Sequence, residues 1–474
     1  MMQQERLISY HTVTLGEMTR EGDTLAEISE ENETGEQAVR TLHVPAGLPG
    51  EQVTIVVEAA PVPPKGKRHR RRWKPRLPRV EITEMHQASP LRTAAPCPVF
   101  GTCGGCQLQH MQYAAQLEWK RSIVRQLLRD TGGFDDPPLL ETVPCDDPWH
   151  YRNHMRFSVN RGGQLGLTAR GTHRVLPLTS CPIAHEQINR VMSMLSQVSN
   201  TRPQVLIRCG AASGHVLMQP YPAPEIVEQL TSAGLAIYSE TMEEVLAGET
   251  FRIRPSSFFQ TNTAQAEKMA RMVLEGLLKE AADIDRPTLD RATEDRVTES
   301  SATDCGTTEN MARAVECRLI EHVLAPTFRR TYADAYCGVG TFALLLAKHV
   351  GKVIAIEESA SAIKDARWNL RNSSNVELLQ GKTEDLLPGV AAQLDGLVLD
   401  PPRAGCQQAV LDALVQQPVA RLVYVSCDPE TLARDLKTLC HLHPTYRLCS
   451  VQPLDMFPQT VHIECIAVLE WITS

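Results

Sequence analysis

A single cysteine stands where the chain changes from strand to helix. In RLVYVSCDPETLARDL (Arg421–Leu436) the run LVYV has the apolar, β-branched character of a buried strand, and DPETLARDL opens as a helix. Asp428 suits an N-cap and Pro429 the first helical position, while Leu432, Leu436 and Leu439 mark one apolar face. Cys427 sits at the join. A thiol just ahead of a helix N-terminus feels the positive end of the helix dipole, which favours the thiolate, a nucleophile. The plain alternative is a small residue at a crowded turn, since free cysteines are commonly structural.

A second group of thiols is closely spaced. CPVFGTCGGCQLQH gives Cys97-x5-Cys103-x2-Cys106, with Gly101, Gly104 and Gly105 to let the backbone wrap. Three thiols this close suit a metal centre. Zinc sites usually draw on two C-x2-C pairs, and the second pair is missing here. An iron–sulfur cluster accepts a 3+1 arrangement, for which Cys181 in TSCPI is the natural fourth ligand. Zinc and unligated thiols stay open as alternatives. The C-x3-C-x2-C spacing of radical chemistry is absent.

These residues need elements to hold them. Residues 316–474 alternate apolar strands (TYADAY, KVIAIE, GLVLD, RLVYVS, CIAVLEW) with amphipathic helices, the rhythm of a Rossmann-like doubly wound α/β sheet. Residues 7–84 read as short β runs, HTVTLGEM, LAEIS, QAVRTLHVP and EQVTIVVEAA, which suit a small OB-like barrel. Between them lies a mixed α+β stretch with the cysteines. It holds a helix around YAAQLEWKRSIVRQLLRDT, with Leu117, Ile123, Leu127 and Leu128 on one side, and strands such as HMRFSVN, QVLIRCG and GHVLMQP. The expected division is 1–84 barrel, 85–255 central domain and 256–474 α/β domain. Within the last, Ala281–Asn310 is polar and aperiodic and reads as an exposed insertion, possible disorder included.

With 474 residues, 42% apolar and 22% charged, the chain is an ordinary soluble multidomain protein. No apolar run is long enough to span a membrane, and the first residues lack a signal-peptide core. The expectation is a cytoplasmic monomer. Its 14 cysteines are then better read as ligands or catalytic thiols than as a disulfide framework. The net charge of −8 excludes a uniformly basic nucleic-acid binder. Even so, Lys65–Arg76 packs eight Lys or Arg into twelve residues, and phosphate neutralisation is the usual reason for such a run. A solvated linker is the alternative.

The loop ADAYCGVGTFALLLAKHV follows a strand and opens a helix. Gly338-x-Gly340-x-x-Ala343 allows a tight turn and close approach to a ligand. Glu357 ends the next strand, nineteen residues beyond Gly338, where a carboxylate can accept from both hydroxyls of a ribose. NAD-dependent dehydrogenases and S-adenosylmethionine (SAM) methyltransferases share this pattern. In LDPPRAGC, Asp400 ends a strand and Pro401-Pro402 fix an extended exit across the carboxyl edge of the sheet, a methyltransferase habit.

Taken together, FFQTN, DAYCGVGTFAL, LDPPRAG, VYVSCDPETLARDL and DMFPQTVHIECIAVLE closely resemble the RNA 5-methyluridine methyltransferases over nearly the whole chain, the Ala281–Asn310 insertion excepted. The resemblance implies a TRAM-like RNA-binding barrel, a central domain with a [4Fe-4S] cluster on Cys97, Cys103, Cys106 and Cys181, and a SAM domain. It makes Cys427 the nucleophile and Glu464 in HIEC the general base. Uracil C5 is too weak a nucleophile to take a methyl group unaided. Thiolate addition at C6 places negative charge on C5, which then attacks the sulfonium methyl; a base removes the C5 proton and the cysteine is expelled. Flanking Ile463, Ile466 and Val468 suggest that Glu464 is partly buried, which raises its pKa.

The same resemblance assigns Gln260, Tyr336, Gly338, Gly340, Thr341, Glu357, Lys382 and Asp400 to SAM, and Phe259 and Arg403 to the substrate. Two residues depart from the usual pattern: Thr341 stands where several relatives have Asn, and Lys382 where Asp or Asn faces the adenine. The layout resembles the 23S rRNA enzymes more than the bacterial tRNA enzyme, with tRNA as an alternative RNA. An RNA cytosine-C5 methyltransferase would carry a Cys where Arg403 stands. A non-catalytic RNA-binding or chaperone protein is the remaining alternative, disfavoured by Cys427, Glu464, Asp400 and Glu357 occurring together.

Overall fold

The computed structural model describes residues 8–31, 37–59, 78–198, 202–278 and 327–472. The basic run Lys65–Arg76 and the polar segment Ala281–Asn310 lie outside them.

Five N-terminal strands alternate apolar and polar residues: β1 (Ile8–Thr14), β2 (Asp23–Glu31), β3 (Gln37–Pro45), β4 (Gln52–Glu58) and β5 (Arg79–Gln87). The inward set, including Ile28, Leu42, Val44, Val53, Ile55 and Val57, forms one small core. The expected barrel is not one continuously hydrogen-bonded sheet among the described residues. β1, β4 and β5 form one sheet and β2–β3 a separate antiparallel ribbon, and the two share that core.

The central stretch contributes β6 (His154–Val159), β7 (Leu165–Thr168), β8 (Val175–Pro177), β9 (Gln204–Cys209), β10 (His215–Gln219) and β11 (Ala236–Tyr238) to one sheet, in the order β11-β10-β9-β6-β7-β8. A hairpin follows, β12 (Met242–Leu246) and β13 (Glu249–Ile253). Its helices are α1 (Tyr113–Asp130), α2 (Glu186–Leu195) and α3 (Pro224–Ser232), and α4 (Thr263–Leu278) leads into the C-terminal sheet.

That sheet has seven strands: β14 (Thr327–Ala335), β15 (Val350–Glu357), β16 (Val376–Gln380), β17 (Gly396–Leu399), β18 (Arg421–Ser426), β19 (Tyr446–Leu454) and β20 (Glu464–Trp471). Their order is β16-β15-β14-β17-β18-β20-β19; β20 runs antiparallel to both its neighbours, and the strands from β16 to β18 pair in parallel. The strands are apolar on both faces because both are covered. Val398, Val423 and Val425 point towards α4 and α5 (Thr341–Leu346). Leu397, Leu399, Leu422 and Tyr424 point towards α1, α8 (Gln408–Gln416) and α9 (Pro429–Lys437). Of the other helices, α6 (Ala360–Asn369) adds Ala366 to the first face and α7 (Thr383–Val390) adds Leu387 to the second.

Helix α1 serves this sheet rather than the central one. Ile123, Val124 and Leu128 pack with Leu432, Leu436 and Leu439 of the segment that follows Cys427. A second, polar stripe of α1 is buried as well. Lys120 Nζ donates to Asp455 Oδ1 at 2.6 Å and to the Phe457 carbonyl at 3.2 Å, and Tyr113 donates to Asp455 Oδ2 at 2.9 Å. Gln116 exchanges hydrogen bonds with the backbone and side chain of Gln459. The loop from Asp455 to Ile463, which delivers Glu464, is therefore held by charge as well as packing. Lys120 and Asp455 are both fully buried, and removing one partner of such a pair costs roughly 3–5 kcal/mol.

Candidate active site

Ligand sites in open α/β sheets lie where the strand order reverses, beyond the carboxyl ends of the strands. Here β14 neighbours both β15 and β17; Tyr336 and Asp400 follow β14 and β17 directly, and Glu357 is the last residue of β15. One strand further, β18 ends at Ser426, so Cys427 emerges at the same edge. Antiparallel β20 begins there with Glu464. Ser426 is paired with Cys465, so continuing the register by one residue sets Cys427 opposite Glu464. Strand pairing thus brings two residues 37 positions apart in sequence to the same end of the sheet.

Asp428 caps α9, its Oδ1 accepting from the Glu430 and Thr431 amides at 3.0 and 3.4 Å. The helix N-terminus alone would favour a Cys427 thiolate. Burial and the carboxylates of Glu464 and Asp400 prevail instead, and push the thiol up to about 11, with the Arg403 guanidinium pulling the other way. In the ligand-free protein the group is a thiol, contrary to the expectation from the helix dipole. Glu464 is fully buried and held well above the ordinary carboxylate range by desolvation and then by Asp400; Arg403 opposes this too. Asp400 is pushed up to about 7 by burial. Arg403 itself is exposed, on a loop pinned to α9 through Thr431 Oγ1 to the Arg403 carbonyl and Arg434 to the Ala404 carbonyl.

The glycine loop is built for a ligand. Gly340 has φ +86°, and a Cβ there would lie 3.1 Å from Leu370 Cδ1, so a larger residue would be both strained and crowded. Glu357 is oriented by the Gly338 amide at 2.9 Å and the Ser359 amide at 2.6 Å. Tyr336 adopts φ +66° beside the loop, Thr341 opens α5, and Lys382 is the exposed N-cap residue of α7. One residue escaped the sequence reading. Asp334, at the end of β14, is fully buried, gives one oxygen to the Ala343 amide at 2.7 Å, and has no hydrogen-bond partner for the other. Burial, Asp400 and Glu357 hold it well above the usual range. The signal was a carboxylate between two alanines at the end of a strand.

Gln260 is half-buried at the end of the SSFFQ segment. Asp365 of α6 fixes this segment by accepting from the Arg254 amide and from Ser257 Oγ at 2.9 and 2.6 Å. The assignment of Phe259 to the substrate needs correcting. Its ring is 4% exposed and packs on Phe251 with centroids 5.6 Å apart, whereas Phe258 is 67% exposed. Phe258 is the aromatic available to a base.

Cys97, Cys103, Cys106 and Cys181 line one cavity of about 280 Å³, with Arg152, Arg156, Thr460 and His462 on its wall. Burial raises three of these thiols, and each is raised further by its cysteine neighbours. No three His, Cys, Asp or Glu side chains among the described residues converge on a single metal-ion position. The four thiols line the same cavity, and four cysteines are the donor set that a cysteine-bound cluster takes.

The relatives of this chain define its class, the SAM-dependent methyltransferases. A family profile described as tRNA (Uracil-5-)-methyltransferase matches residues 290–472. An RNA methyltransferase of Gloeobacter violaceus is 32% identical, with 82% of this chain and 85% of that protein covered. One of Listeria monocytogenes is 31% identical over 90% of this chain and 92% of its own. The crystal structure of Pyrococcus abyssi tRNA (uracil-54, C5)-methyltransferase in complex with S-adenosyl-L-homocysteine is similar in fold. It superposes with a TM-score of 0.63 at 22% identity, covering 97% of this chain and 99% of that one. This chain belongs to the RNA uracil-5-methyltransferase family, enzymes that transfer a methyl group from SAM.

Proposed function

We propose that this protein makes 5-methyluridine in 23S rRNA, with Cys427 adding to C6 of the target uracil and Glu464 removing the C5 proton. The observation that supports this reading is the strand register ending with Ser426 opposite Cys465, which brings Cys427 and Glu464 to the carboxyl edge that also carries Glu357 and Asp400. Cys427 supplies the nucleophile, Arg403 tempers the surrounding negative charge, and Phe258 offers a face on which an unstacked base can rest. Gln260, Tyr336, Gly338, Gly340, Thr341, Glu357, Lys382 and Asp400 border the cofactor. When bound, SAM supplies an electrophilic methyl on a positively charged sulfur. The five-strand N-terminal unit serves as an RNA-binding module of the TRAM type, and the enzyme works in the cytoplasm. Among the described residues no helix is long and apolar enough to cross a membrane.

Transfer RNA is the second reading. It is favoured by the family profile's description and by the Pyrococcus abyssi structure, while the resemblance of the layout to the 23S rRNA enzymes supports the first. Mapping 5-methyluridine in rRNA and tRNA from a deletion strain tests both. Loss of a 23S site supports the first, loss of a tRNA site replaces it with the second, and no loss in either removes the proposal.

Asp400 provides a charge test. Its carboxylate is ionised above about pH 7 and protonated below, so affinity for cationic SAM should fall as the pH drops from 8 to 6. S-adenosylhomocysteine lacks the sulfonium charge and should respond less. Asp400→Asn should flatten the SAM profile. Equal slopes for both ligands by calorimetry would show that Asp400 does not sense the sulfonium.

Cys97, Cys103, Cys106 and Cys181 would hold a [4Fe-4S] cluster. Protein purified without oxygen should be brown and carry about four irons per chain. Cys103→Ser or Cys106→Ser should remove the colour. A colourless anaerobic preparation with one zinc would replace this assignment.

A further inference from the structure

The N-terminal unit touches the catalytic edge through one tight turn. Between β1 and β2, the Gly22 amide donates to the Thr19 carbonyl at 2.9 Å and the Thr19 amide to the Asp23 carbonyl at 2.7 Å, which presents Arg20 at the tip. Arg20 Nη2 donates to both oxygens of Asp428 at 2.8 Å, and Nη1 to Glu430 at 2.5 Å. Asp428 is the residue after Cys427 and the N-cap of α9, so the guanidinium grips the carboxylate that sets the direction of the nucleophile helix.

A second contact shows that the turn is seated and not merely near. Gly22 has φ +84°, and a Cβ there would lie 2.8 Å from Val461 Cγ1 and 3.1 Å from Gln107 Cβ. Val461 is three residues ahead of Glu464, and Gln107 follows the cysteine segment. Asp23, just beyond the turn, accepts from Arg170 Nη2 at 2.9 and 3.0 Å. One turn therefore contacts the chain on the Cys427 side and on the Glu464 side.

We propose that Arg20 is a positioning residue for methyl transfer: through Asp428 it holds Cys427 in line with Glu464, so the N-terminal unit must be docked for the pair to act. This rests on the reading of Cys427 as nucleophile. Arg20 and Asp428 are partly exposed, at 34% and 25%, and ion pairs of that kind add little stability. Their effect lies in geometry and charge. Nη2 on Asp428 and Nη1 on Glu430 together fix the guanidinium's orientation, and a misplacement of about 1 Å costs on the order of 10²-fold in rate. Without Arg20, the charge of Asp428, next in sequence to Cys427, keeps only its two capping amides. The other charged or titratable groups around Cys427 are Glu464 on β20, Asp400 and Arg403 after β17, and His462 in the preceding loop. None of them replaces the lost cation on Asp428.

The test uses the full chain with Arg20→Ala, Arg20→Lys and Asp428→Asn, the last keeping an N-cap side chain. Two readouts are taken: kcat at saturating RNA with SAM affinity alongside, and the pH dependence of Cys427 alkylation followed on its peptide by mass spectrometry. Arg20→Ala should lower kcat by about 10- to 100-fold. It should leave SAM affinity unchanged and move the alkylation midpoint to higher pH, and Arg20→Lys should restore part of both. In the Asp428→Asn background, Arg20→Ala should add little. A kcat and alkylation profile equal to wild type overturns the inference, as does a loss confined to KM for RNA. The alkylation measurement needs no RNA. A wild-type protein that methylates no uridine would therefore count against the functional reading, while the midpoint shift would still decide the role of Arg20.

Discussion

Cys427→Ala should abolish 5-methyluridine formation while leaving the protein folded and its affinity for SAM unchanged. The expected loss is on the order of 10⁴- to 10⁶-fold, the range for removing a covalent nucleophile. The half-buried side chain loses only a sulfur, so little packing is at stake. The cofactor contacts proposed for the glycine loop come from other strands, which is why binding should survive. RNA with 5-fluorouridine at the target position should trap wild type as a covalent complex, because fluorine cannot leave as a proton, and the variant should form none. The thiol of the ligand-free protein is held up to about 11 by burial, Glu464 and Asp400, so trapping by wild type should speed up as pH rises from 7 to 9. Turnover by Cys427→Ala at the wild-type rate would sink the mechanism.

Glu464→Gln should produce the opposite imbalance, an enzyme that adds and methylates but cannot let go. The carboxylate is one of the causes that raise the Cys427 thiol, so its neutralisation should ease thiolate formation. The same change removes the base that takes the C5 proton, and a covalent protein–RNA adduct should accumulate with unmodified RNA, visible as a shifted band on a denaturing gel. The substitution also has a stability signature. The folded-state pKa of Glu464 lies above its unfolded value, so the native protein retains this proton more tightly. Its contribution to stability is present at low pH and declines as pH rises above the ordinary carboxylate range. Glutamine does not titrate. The Tm advantage of the variant should therefore grow with pH between about 5 and 8. Rapid release of product without any adduct would mean that another group is the base.

The strands that frame this chemistry were legible because burial on both faces leaves an apolar run that few other structures tolerate. KVIAIE, GLVLD, RLVYVS and CIAVLEW all fall within the C-terminal sheet. What sequence could not supply was the identity of neighbours. Phe258 and Phe259 are chemically the same, and only Phe251 on the adjoining hairpin decides which ring turns inward. Helix α1 shows an apolar stripe in sequence, but its second buried stripe, Tyr113, Gln116 and Lys120, reads as surface until Asp455 and Gln459 are seen against it. Arg20 is separated from Asp428 by 408 residues and lies in a turn with no pattern of its own. The helix dipole argument for Cys427 was local, and it lost to carboxylates brought in by two other strands.

The place of β20 in the sheet bears on how the enzyme is made. It lies between β18 and β19 yet follows both in the sequence, so a chain emerging from the ribosome must present two strands with unpaired edges before the strand that joins them exists. Such edges invite pairing with other chains. They also mean that the proposed nucleophile is synthesised before its proposed base, and that Glu464 comes to the edge that carries Cys427 only when β20 slots home. Formation of the central antiparallel pairing and formation of a competent catalyst are then one and the same folding event. A nascent or partly folded molecule, even with Cys427 already in place, has no means of completing the reaction on an RNA it meets too soon.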